Sequence, residues 1–171
     1  DLFGIAAPFG IHPDFKTYHD TILLVHKGQK TVSSTVGHKL MHDHPYAANR
    51  FLQAHQNMEK LKGIMIGGDL EGFAHLVESE ALTLHAMMLT SSPYFILMKP
   101  QTLEIINRIW SFRQRTKVPV CFTLDAGANV HLLYPQVAKE KTIQFIQDEL
   151  VAYCENGHYI CDRVGNGAKQ L

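Results

Sequence analysis

The stretch Val120 to Pro135, VCFTLDAGANVHLLYP, constrains the fold more than any other part of the chain. Two apolar runs flank a centre of small residues, which reads as two strands joined by a short turn and so paired antiparallel. A plain hairpin would carry Asn-Gly or Asp-Gly at its tip. This one carries Asp125, Ala126, Gly127, Ala128 and Asn129, with almost no side-chain bulk. Small residues leave room for a ligand or another backbone to approach closely. A carboxylate at the end of the first strand, beside that clearing, can orient or deprotonate a hydroxyl. The simpler reading is that Asp125 and Asn129 only cap the turn through their own backbone. The pattern alone leaves both open.

The remaining chain supplies what such a hairpin packs against. Thr21 to Val25 is a short, apolar, partly β-branched run that reads as a buried strand. After a break at His42 to Pro45, the residues Phe51, His55, Met58, Leu61 and Met65 recur at helical spacing, and Gly67-Gly68 ends that helix. Asp69 is placed to cap a second helix, with Leu70, Phe73, Val77, Leu84 and Met87 as its stripe. A third helix starts near Pro100, presents Leu103, Ile106, Ile109 and Trp110, and carries Arg113 and Arg115 towards its end. A fourth presents Ile143, Ile146, Leu150 and Tyr153; Asn156-Gly157 then turns the chain into a last strand, HYICDRV. The order strand, helices, two strands, helix, strand predicts an α+β domain over residues 1–171. Its antiparallel sheet has helices packed on one face and is ferredoxin-like.

Charge narrows the function classes. Lys plus Arg and Asp plus Glu each number 16, so the net charge is zero and the basic excess of a nucleic-acid binder is missing. No apolar run approaches the ~18 residues of a membrane span. The cysteines Cys121, Cys154 and Cys161 have no CxxC spacing and read as small buried hydrophobes of a reducing compartment, which implies a cytoplasmic protein. Their odd number fits the same reading.

Three further stretches could carry chemistry. TVSSTVGH, Thr31 to His38, sets hydroxyls ahead of a helical region, where they would either bind phosphate or make an ordinary cap at Ser34 or Thr35. The His42-Asp43-His44 triplet resembles a metal pair, but no ligand cluster sits at the right spacing nearby, so no metal site is expected. Glu80 falls on the apolar stripe of the second helix and needs a partner, for which His85 is one turn away. No glycine-rich phosphate loop is present in the sequence.

The segments VSSTVG and FTLDAGANVHLLYP together resemble the C-terminal half of the mevalonate diphosphate decarboxylases, members of the GHMP kinase superfamily. The family motifs are V-S-S-(T/R)-x-G-M and F-(T/D)-x-D-A-G-P-N, in that order and far apart. Between them the family has a helix ending in M-H-A and a Pro-containing loop, and LHAMMLTSSPY, Leu84 to Tyr94, occupies that place. The resemblance runs over roughly Thr21 to Cys161. It implies that Asp125 faces the 3-hydroxyl of the substrate as the catalytic group. It also implies that Ser34 contacts the phosphorylated substrate, that Ser33 supports it, and that Thr35 lies near the diphosphate. Ala128 stands where the family has Pro, a departure that loosens the turn rather than abolishing it; His38 stands where the family has Met, beside the expected substrate, a departure that bears on specificity.

The implied reaction is ATP-dependent. Phosphorylation turns a poor leaving group into a good one, and loss of phosphate and carbon dioxide gives isopentenyl diphosphate. The resemblance further implies that ATP and Mg²⁺ are bound mainly by an N-terminal half, so no cofactor-binding residue is expected within residues 1–171. The start, DLFGIAAPFG, reads like the cut edge of a longer chain. The expectation is a C-terminal domain of a two-domain enzyme, inactive alone. Its partners would be a small phosphorylated substrate and its own N-terminal domain, with no nucleic acid and no membrane, and a homodimer is allowed. Three rival readings remain: a GHMP-type kinase that stops after phosphorylating a related substrate, a ferredoxin-like binding module without chemistry, and a His-rich metal-binding module, against which the scatter of the 11 histidines counts. Carbon dioxide release separates the first, and the presence of an upstream phosphate loop the second.

Overall fold

The computed structural model describes residues 9–28, 43–165 and 167. Four strands, β1 (His19–Leu23), β2 (Cys121–Leu124), β3 (Val130–Tyr134) and β4 (Tyr159–Arg163), form one sheet in the order β2-β3-β1-β4. Every neighbouring pair is antiparallel. Helices α1 (Ala47–Gly67), α2 (Leu70–Leu89) and α3 (Pro100–Thr116) fill the connection from β1 to β2. Helix α4 (Lys139–Phe145) runs on through a π turn (Ile146–Leu150) and a 3₁₀ turn (Val151–Tyr153). This is the α+β, ferredoxin-like arrangement that the hairpin demands: β2 and β3 are adjacent through their tight turn, and the helical crossover sets β1 on the far side of β3.

Alternation along the strands sets the core. In β1 and β3 every second residue is buried, which turns Leu23, Val130 and Leu132 to one face with Phe122 and Leu124 of β2. Ile105, Ile106, Ile109 and Phe112 of α3 cover that face, joined by Phe145, Ile146 and Leu150. Phe112 and Phe145 stack at 4.0 Å between ring centroids and pin the two helices together.

Several expectations are corrected. The first strand begins two residues earlier than Thr21, because His19 and Asp20 already pair with Tyr134 and Leu133. Helix α1 leaves Phe51 and Met58 exposed and turns Arg50 and Asn57 towards α2. There Arg50 and Asn57 bond Glu80 at 3.1 and 2.6 Å, so the partner of Glu80 lies on α1 and is not His85. Burial alone would raise the Glu80 carboxyl, but these bonds and the guanidinium charge hold it below the usual carboxylate value. In α3, Leu103 is exposed and the buried position is Ile105. Cys121 and Cys154 are buried as expected, whereas Cys161 is exposed on β4. His44 bonds Thr90 Oγ1 at 3.1 Å and accepts the Tyr46 N–H, a loop brace. His42 lies outside the described residues.

Candidate functional site

The site is built along the free edge of β2. Alternate residues of an edge strand turn their main-chain groups away from the sheet, and those groups need partners. Here α2 and α3 provide them. Glu78 of α2 accepts the Phe122 N–H at 3.4 Å, and Arg113 of α3 donates to the Val120 carbonyl at 2.9 Å. Glu78 is 5% exposed, yet it is saturated: Arg113 donates at 2.6 and 3.0 Å and Trp110 Nε1 at 2.9 Å. Those bonds to Glu78 raise the Arg113 pKa further.

One further contact of the same kind follows. His85 Nε2 lies 3.1 Å from the main-chain carbonyl of Asp125. A carbonyl only accepts, so Nε2 carries the hydrogen. Burial lowers the His85 pKa, opposed in part by this bond, and keeps the ring neutral. The spacing is metric. Glu78 to His85 is seven helical residues, about 10.5 Å at the α-helical rise. Phe122 to Asp125 is three extended residues, about 10 Å. The helix and the strand therefore meet in register at both ends, and Ala81 between them, 4% exposed, is small enough to permit the close approach.

The turn after β2 is held from other sides too. Gly127 N–H donates to the Asp125 carbonyl at 2.8 Å. Thr102, fully buried near the start of α3, donates to the Ala128 carbonyl at 2.6 Å and accepts the Lys99 N–H at 3.1 Å. Asn129 Oδ1 accepts the His26 N–H at 2.9 Å, which ties the turn to the segment after β1. Asn129 thus braces a neighbouring segment. The side chain of Asp125 stands at the exposed end of this framework.

Gly127 explains the lack of bulk. A Cβ at that position would lie 3.0 Å from Asp125 Oδ1, closer than a carbon and a carboxylate oxygen normally sit. Its backbone does not demand glycine; the space beside the carboxylate does.

Of the residues singled out in the sequence, Asp125 sits at this clearing, and Ser33, Ser34, Thr35 and His38 lie outside the described residues. His85 and Thr102 belong to the turn's support. The first was visible only as a candidate partner for Glu80, and the second, two residues after Pro100 in the capping position, was not singled out at all. Among the described residues no group of three or more His, Cys, Asp or Glu could hold a metal ion. No described helix is long and apolar enough to cross a membrane.

The α+β architecture, an antiparallel sheet with packed helices, is the fold expected of a GHMP kinase C-terminal domain. Within it, the sequence model described as mevalonate 5-diphosphate decarboxylase C-terminal domain matches residues 21–167, and the chain belongs to that family. It is 26% identical over 83 residues to the phosphomevalonate decarboxylase of Haloferax volcanii, covering 48% of this chain and 26% of that protein. It is 26% identical over 132 residues to the diphosphomevalonate decarboxylase of Candida albicans, covering 73% and 35%. The fold matches the mevalonate pyrophosphate decarboxylase of Streptococcus pyogenes with a TM-score of 0.81 at 19% identity, over 95% of this chain and 49% of that one. It matches MDDEF in complex with MVAPP, AMPPCP and magnesium with a TM-score of 0.76 at 19% identity, over 86% and 44%. The chain thus spans about a quarter to a third of the curated relatives and about half of these solved structures.

Proposed function

We propose that this chain is the C-terminal domain of a two-domain, ATP-dependent decarboxylase of a phosphorylated mevalonate, in which Asp125 takes the proton of the 3-hydroxyl. The observation that carries the reading is the placement of Asp125: an exposed carboxylate at the end of an edge strand, on a turn braced by α2 and α3, with Gly127 adding no side chain against it. Membership of the decarboxylase family supports it. The Asp125 side chain within hydrogen-bond reach of the hydroxyl accepts its proton and leaves an oxygen of greater nucleophilicity. The backbone braces fix where that carboxylate stands, and positioning of this kind lowers the barrier by removing the search for geometry.

The motif resemblance assigns Ser34 to contact the phosphorylated substrate, Ser33 to support Ser34, and Thr35 to the position that serves the diphosphate. The reading gives Mg²⁺ and ATP to the portion of the protein outside this chain; AMPPCP and magnesium are bound in the structural relative. The substrate class includes both mevalonate phosphate and mevalonate diphosphate, since the curated relatives are named for each.

Asp125→Asn in the full-length protein tests the reading. The amide has the same shape but cannot take the proton. A turnover loss of about 10²–10⁴-fold is expected, with melting unchanged, in carbon dioxide release from either phosphorylated substrate. Near-parental release from a folded Asn variant removes Asp125 from the mechanism.

A further inference from the structure

We propose that His85 and Thr102 are positioning residues for the Asp125 carboxylate, acting through the main chain on either side of it. This rests on the reading of Asp125 as the proton acceptor. The turn from β2 to β3 has carbonyls at Asp125 and Ala128, and a buried side chain from a different helix holds each: His85 of α2 at 3.1 Å and Thr102 of α3 at 2.6 Å. Both donors are rigidly seated, His85 at 2% exposure and Thr102 at 0%. Neither is an alternative acid or base: each gives its hydrogen to a backbone oxygen, and the imidazole is held neutral by burial.

The arrangement is a two-point clamp. A loop of small residues has few contacts of its own and would wander if tied only at its strand ends. Fixing the carbonyl of Asp125 itself fixes the Cα from which the carboxylate projects. The second tie, three residues on, prevents the turn from pivoting about the first. The register between α2 and β2 makes His85 the end of a longer scale, because Glu78 anchors Phe122 on the same helix. Displacement of α2 along the strand would therefore move the Asp125 carbonyl with it.

The test uses the full-length protein, with Asp125→Asn beside His85→Leu, His85→Gln and Thr102→Val. Gln places an amide N–H near the position of Nε2, whereas Leu fills the space without a donor. His85→Leu should lower kcat by about 10²-fold, the scale of a misplacement near 1 Å. KM for the phosphorylated substrate should stay within about threefold and melting should remain cooperative. His85→Gln should recover most of kcat. Thr102→Val, nearly isosteric, should lower kcat by about tenfold with the same unchanged KM. Parental kcat in a folded His85→Leu protein, or equal losses in the Leu and Gln variants, overturns the clamp. If neither His85 variant folds, Thr102→Val decides: a selective kcat loss supports the clamp and parental kcat overturns it. An inactive Asp125→Asn with a fully active His85→Leu sinks the clamp alone. A fully active Asp125→Asn sinks the reading beneath it, and the clamp with it.

Discussion

Two carboxylates meet the same edge strand in opposite ways. Glu78 reaches β2 with its side chain, at 5% exposure, and spends every acceptor on Arg113, Trp110 and the Phe122 N–H. Asp125 belongs to the strand's own continuation, is tied to α2 through its main-chain carbonyl, and stands exposed. A carboxylate saturated by buried donors is a structural part; it could act on a substrate only by leaving its partners unpaired, which is costly in the interior. Asp125 is held through its main-chain carbonyl and has an exposed side chain. Under the proposed reading, burial does not mark the reactive group.

Exchanging the two roles should fail in both directions, and this is the largest effect. Glu78→Ala leaves the Arg113 guanidinium, the Trp110 N–H and an edge amide without their acceptor, a loss of roughly 3–5 kcal/mol for a broken buried pair. Arg113 is 30% exposed at its side chain, which favours the lower end. Denaturant unfolding should show that loss, while kcat per folded molecule falls far less than it does for Asp125→Asn. Asp125→Asn should do the reverse, and a destabilised Asn variant would break the contrast.

Gly127→Ala is a finer probe. The backbone there accepts alanine, so stability should hold or rise by up to about 1 kcal/mol. The added Cβ meets Asp125 Oδ1 and must displace it. A kcat loss of about tenfold in a protein at least as stable as the parent is expected from the two measurements together.

The smallest effect is in pH. The folded pKa of His85 lies below its ordinary 6.5, mainly through burial. The unfolded chain then binds the proton more readily, so the contribution of neutral His85 is complete above about pH 6.5 and is lost as pH falls towards the lowered value. Glu80, held below its ordinary 4.5 against the effect of burial by Arg50 and Asn57, has the same sign in a more acidic window. The melting temperature should decline first below about pH 6.5, and His85→Gln should remove that first decline and keep the later one.

Much of this was legible before any coordinates. The β2–β3 hairpin follows from two apolar runs around small residues, and the core from strand alternation and the Ile106 and Ile109 spacing in α3. Helix α1 was not legible in the same way. Phe51 and Met58 do not lie on the side that packs, because α2 meets it through Arg50, Asn57 and Glu80, while Leu61 and Met65 of the same expected stripe are half-buried. Helix α2 has partners on two sides, α1 and the edge of β2, so a single stripe could not describe it. That is why Glu80 was read as the buried carboxylate when Glu78 is. At the site, Asp125 was visible from the turn and from the resemblance. Its supports were not, since a histidine donating to a carbonyl forty residues away leaves no local pattern. Ser33, Ser34 and Thr35 remain assignments from the motif.

The covering of β2 also decides how copies of this domain can meet. An uncovered strand edge is a template on which another chain can lengthen the sheet. On β2 the Phe122 N–H and the Val120 carbonyl, the groups an incoming strand would bond, are already occupied by Glu78 and Arg113. The opposite margin is β4, with Ile160 to Arg163 exposed and Asp162 and Arg163 supplying charge there. Among the described residues the sheet is thus polarised towards self-association: growth is opposed at β2 by Glu78 and Arg113 and at β4 by charge. Loss of Glu78 would open the β2 side, so the residue that steadies the native fold also guards it against aggregation.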